Sequence, residues 1–73
     1  MARLQVLSAG EVVRAFQALG WEIARSGNHI ILVQAGHTAT LSVPNHHEVA
    51  KGTLRSLIRD AGLTVAEFVA AVA

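Results

Sequence analysis

The sequence predicts a two-layer α+β domain: a helix, three antiparallel strands, a second helix and a short C-terminal helix. Three observations predict it. Apolar residues recur at helical spacing towards both ends, as Val12, Phe16 and Leu19 and again as Leu54, Leu57 and Ile58. Between them, residues 38–43 alternate strictly, with Ala39, Leu41 and Val43 on one side and Thr38, Thr40 and Ser42 on the other. Glycines or a proline punctuate the segment boundaries. Alternation of this kind marks a strand with one packed face and one wet face, and amphipathic helices cover the packed face.

The elements follow in order. Ser8-Ala9-Gly10-Glu11 is a capping box, in which the hydroxyl accepts an early amide and the carboxylate reaches back to the cap. A helix follows to about residue 19, and Gly20 suits a left-handed stop. Residues 21–26 form a weak strand that contains Glu22, Ala24 and Arg25. Trp21, directly after the helix stop, reads as a core residue, with stacking on a base as the other reading. Ser26-Gly27-Asn28 supplies turn chemistry. Residues 29–34 are the best strand, and Ala35-Gly36-His37 turns the chain around, leaving His37 solvated. The third strand covers residues 38–43 and stops at Pro44. Asn45-His46-His47 is a polar loop. A helix starts near residue 49 or 51 and runs to 61, where Gly62 stops it. Thr64-Val65-Ala66-Glu67 is a second capping box, opening a short helix with Phe68, Val69 and Val72 inside.

Size and composition bound the function. A chain of 73 residues is a single domain, 1–73, without linkers, repeats or low-complexity segments. At this size only ~60% of the unfolded surface is buried on folding. The chain is 52% hydrophobic with a mean hydropathy of +0.44, too apolar for disorder and apolar enough for a partner to cover part of the surface. A formal charge of +1 excludes a polycation, so nucleic-acid binding depends on where the cations sit. The absence of cysteine excludes disulfides and thiolate metal sites, and fits a reducing, cytoplasmic setting. No signal-peptide core is present, and the aliphatic run at residues 30–33 is too short to span a bilayer.

Two features carry chemistry. Gly27-Asn28-His29 delivers one histidine to the start of the best strand, although a turn histidine that merely caps a strand has the same spacing. An ordinary histidine titrates near ~6.5 and so exchanges a proton near neutrality. RNA brings its own nucleophile, the 2′-hydroxyl. A base to remove its proton and cations to steady the phosphorane suffice for cleavage, with no metal and no cofactor. The second feature is Lys51, Arg55 and Arg59, three of the six Lys and Arg, spaced four apart as one stripe opposite Leu54, Leu57 and Ile58. With Thr53 and the helix N-terminus beside it, the stripe offers a ridge for phosphate, although a charged helix face is also an ordinary solvated one. The adjacent His46 and His47 cannot easily meet on one ion, and no zinc-ligand spacing is present.

The ordered set Ser8-x-x-Glu11, Leu19-Gly20-Trp21, Arg25-x-Gly27-Asn28-His29, Val43-Pro44-x-His46 and Gly52-Thr53-Leu54-Arg55-x-x-Ile58-x-x-Ala61-Gly62-Leu63-Thr64-x-x-Glu67-Phe68 covers nearly the whole chain. It resembles the HicA (YcfA-like) toxins of bacterial type II toxin–antitoxin systems. The resemblance implies a double-stranded-RNA-binding-domain-like fold, ribosome-independent cleavage of mRNA, and silencing by a HicB-type antitoxin. The family's catalytic histidine follows a glycine and usually a serine; His29 holds that place, and Asn28 stands where the serine usually is.

The expected function is an endoribonuclease with His29 as general acid/base. Lys51, Thr53, Arg55 and Arg59 would hold RNA phosphate, with Asn28, His46 and His47 assisting. No metal and no membrane enter this expectation. A non-catalytic RNA-binding module is the alternative, since domains of that fold read A-form shape without chemistry. A pure protein-interaction domain is a third reading.

Overall fold

The capping box at Ser8 forms as its sequence dictates: the Ser8 hydroxyl accepts the Glu11 amide at 3.2 Å, and the Glu11 carboxylate accepts the Ser8 amide at 3.0 Å. In the computed structural model, which describes residues 3–72, this cap opens helix α1, Ala9–Ala18. Strands β1 (Glu22–Arg25), β2 (His29–Val33) and β3 (Leu41–Pro44) follow, then helices α2 (Lys51–Asp60) and α3 (Val65–Val72). The predicted α+β order is the observed one. Gly20 and Gly62, just past α1 and α2, adopt φ of +98° and +74°, the left-handed geometry that glycine reaches without strain. The second capping box forms too: the Glu67 amide donates to the Thr64 hydroxyl at 3.1 Å, and the Thr64 amide donates to the Glu67 carboxylate at 2.9 Å.

The sheet is antiparallel in the order β1-β2-β3. Ile30 and Leu32 pair with Val43 and Leu41, and all four are buried. They form the packed face. Both α1 and α2 pack on β3, and α1 also packs on α3. The aromatic centre joins these layers. Phe16 of α1 lies 5.0 Å from Phe68 of α3 and meets Trp21 edge-on at 6.4 Å, centroid to centroid. All three rings are buried, so Trp21 is core as its position predicts.

Three details depart from the sequence expectation. The β3 ladder starts at Leu41, not at residue 38, and it includes Pro44. Residues 38–40 keep the alternation, with Thr38 and Thr40 exposed and Ala39 half-buried, but Ala39 gives its amide to His37 Nδ1 at 3.2 Å instead of to a strand. Pro44 is tolerated because β3 is an edge strand, where a missing donor costs no ladder bond. His37 is not simply solvated. It is half-buried, its ring 4.9 Å from Trp21, and it closes the turn through that amide. The third departure is an N-terminal strap: Leu7 forms an isolated antiparallel bridge with Val49, and Leu4 and Leu7 join the core.

Candidate active site

The site begins with strand alternation. Along β2, Ile30 and Leu32 go into the core, so His29, Ile31 and Val33 face the open side of the sheet. His29 is exposed, at the first position of β2, opposite Pro44. On β3 the same alternation buries Leu41 and Val43 and leaves Ser42 exposed opposite Ile31. β1 contributes through an irregularity. Glu22 pairs with Val33 and Ile23 with Leu32, but Arg25 rather than Ala24 pairs with Ile31. One extra residue is accommodated between Ile23 and Arg25, as in a β-bulge, and it turns Arg25 to the open face.

These residues surround a shallow depression of about 410 Å³. The turn residues Ser26, Gly27 and Asn28 line it with Arg25, His29, Ile31 and Ser42, and no carboxylate does. Its floor is the sheet and its rim is the β1–β2 turn. Asn45 ties that turn down from the neighbouring loop. Its amide N–H donates to the Asn28 carbonyl and its side-chain Nδ2 donates to the Gly27 carbonyl, each at 3.0 Å. The backbone on both sides of Asn28 is thereby fixed relative to the end of β3.

The remaining candidates lie elsewhere. Lys51, Thr53, Arg55 and Arg59 are all exposed on α2, while Leu54, Leu57 and Ile58 are buried. The amphipathic stripe forms as spaced, but no α2 residue lines the depression. His46 and His47 are exposed and border a separate hollow with Ser8, Ala9 and Gly10 at the start of α1. There the His46 carbonyl accepts the Ala9 amide at 3.0 Å, so this loop caps α1 through its backbone. Among the described residues, no group of three or more His, Asp or Glu is gathered as metal ligands would be. The depression thus joins His29 and Asn28 with two side chains that sequence reasoning left without a role, Arg25 and Ser42. Alternation places Ser42 on the wet face and so could have found it. For Arg25, the irregular pairing that turns it over has no sequence signature.

Fold and site together define a small α+β domain that presents one histidine and one arginine on the open face of a three-stranded sheet. The chain belongs to the HicA toxin family, whose model, described as HicA toxin of bacterial toxin-antitoxin, matches residues 9–63. No curated protein matches the chain. Membership of the toxin half of such systems implies an antitoxin partner. Among the described residues, no helix is long and apolar enough to cross a membrane.

Proposed function

We propose that this protein is a cytoplasmic, metal-independent endoribonuclease that cleaves mRNA and is neutralised by a HicB-type antitoxin. The observation that carries the reading is the exposed His29 in a polar depression of the sheet, free of neighbouring carboxylates. Its imidazole takes the proton from a ribose 2′-hydroxyl. The 2′-oxygen then attacks the adjacent phosphorus, the P–O2′ bond forms and the P–O5′ bond breaks. The 5′-oxygen leaves with a proton returned by the imidazolium or by solvent. Because the nucleophile belongs to the substrate, no metal-activated water is needed.

The exposed side chains of Lys51, Thr53, Arg55 and Arg59 hold phosphates of the RNA beyond the scissile bond. Asn28, at the rim, serves in place of the family's usual serine. His46 and His47, which border a separate hollow, assist by contacting RNA beyond the depression. The antitoxin silences the toxin by covering His29 and the basic face of α2, and a carboxylate-bearing surface suits that face.

The chemistry is tested by the ends of the products. A 2′,3′-cyclic phosphate and a 5′-hydroxyl are expected. Products with a 5′-phosphate contradict attack by the 2′-hydroxyl. RNA bound but left uncut, over several sequences, favours the non-catalytic module.

A further inference from the structure

We infer that Arg25 binds the scissile phosphate, as the cation that acts beside His29. The inference rests on the nuclease reading of the same depression and adds to it the group that holds the reacting phosphorus.

The geometry of the open face carries the argument. The irregular pairing in β1 sets Arg25 directly opposite Ile31, and His29 is two residues from Ile31 along β2. Arg25 and His29 are therefore diagonal neighbours on one face of an antiparallel pair. Such neighbours lie about 7–8 Å apart at the backbone, within reach of a long side chain. A regular ladder would put Ala24 opposite Ile31 and turn Arg25 to the other side of the sheet. The extra residue thus has a chemical consequence: it brings a guanidinium to the histidine.

Arg25 is the only Lys or Arg lining the depression, and no carboxylate lines it to compete for the guanidinium. Arginine matches a phosphodiester with two parallel N–H donors. A phosphate held so, with its 2′-hydroxyl towards His29, puts positive charge where the phosphorane develops it. Ser42, opposite Ile31 on the other strand, adds a hydroxyl to the same row. The stripe on α2 lines no part of this depression, so binding of flanking RNA and stabilisation of the reacting phosphate fall to different cations.

The test uses two RNAs of one sequence, one all-ribose and one with 2′-O-methyl groups that block cleavage. Binding of the blocked RNA is measured across salt for wild type, Arg25→Ala and Arg25→Lys. Arg25→Ala is expected to bind roughly tenfold more weakly, from the loss of a charge-assisted contact. The slope of log affinity against log salt should shrink by about 0.7, the share of one phosphate contact on a single strand. Arg25→Lys should keep the slope. On the all-ribose RNA, Arg25→Ala should cleave at least a hundredfold more slowly, and Arg25→Lys should recover part of the rate. Arg25 is exposed, so the circular dichroism and melting temperature of both variants should match wild type.

Wild-type affinity, slope and cleavage in Arg25→Ala overturn the inference and leave the nuclease reading standing. The expected binding changes with no cleavage by wild type overturn the nuclease reading and leave Arg25 as a phosphate ligand. No binding of the blocked RNA together with no cleavage of the all-ribose RNA by wild type overturns both.

Discussion

Gly27 has no left-handed backbone torsion, and a methyl group on its Cα would meet no protein atom within 4 Å. Neither turn geometry nor packing demands glycine there. What its missing side chain does is keep the rim of the depression low, beside His29. Gly27→Ala should therefore fold as well as wild type, or gain about 0.4–1 kcal/mol from the stiffer unfolded chain. RNA cleavage should fall, because the added methyl meets the substrate. Urea melts and initial rates on the same preparation check both halves; a stability loss with normal cleavage contradicts this account of Gly27. At this scale His29 was legible, since a histidine at the head of a strand shows in the sequence. Asn45 was legible only as part of a polar loop, because its two hydrogen bonds span 17 and 18 positions of chain. Arg25 stands in a strand segment whose facing depends on pairing with β2, which no local pattern encodes. His37 reads as a turn residue, and its place against Trp21 is a tertiary contact.

Helix ends were the most legible elements, because a capping box is a local exchange of hydrogen bonds between residues three apart. Both boxes in this chain form. The first bears on how stability depends on pH. The backbone amide of Ser8, then the Ser8 hydroxyl, hold the Glu11 carboxyl below its ordinary value of 4.5; desolvation opposes them, and Arg14 adds a lesser pull in their direction. A carboxylate whose value is lowered by folding adds stability above its unfolded value, and that stability is lost as pH falls through the folded one. Wild type should thus be more stable than Glu11→Gln near neutrality, and the two should converge in strong acid. Denaturant midpoints at several pH values check this; a constant difference at every pH contradicts it. Strand limits were less legible than helix caps. Residues 38–43 alternate throughout, yet only the part from Leu41 onward joins the ladder, and the register would set residues 38 and 39 beyond the end of β2 at Val33. The strap through Leu7 was not legible, since its bridge to Val49 depends on the finished fold.

For the whole molecule, the core reaches beyond the residues that the family model matches. The family match ends at residue 63, but Phe68 is fully buried against Phe16, and Leu4 and Leu7 close the other flank. A chain of 73 residues has only about 4–11 kcal/mol of stability at ordinary values per residue. Phe68→Ala should cost about 3–5 kcal/mol, a large share of that reserve, and a thermal melt should show the midpoint lowered by at least about 12 °C. Near-wild-type melting would mean that α3 is dispensable to the core. Among the described residues, Val6, Ile23 and Val33 are the large apolar side chains that remain exposed, at 55%, 46% and 37%. The layered arrangement separates two jobs. The helices and the packed face of the sheet hold the fold, and the open face is where the proposed function puts the RNA.

The most direct test of the central claim is cleavage of a structured and an unstructured RNA in EDTA by wild type and by His29→Ala, with circular dichroism showing both folded. Cleavage by wild type that is lost in His29→Ala is the predicted result. Equal cleavage by the two proteins contradicts it.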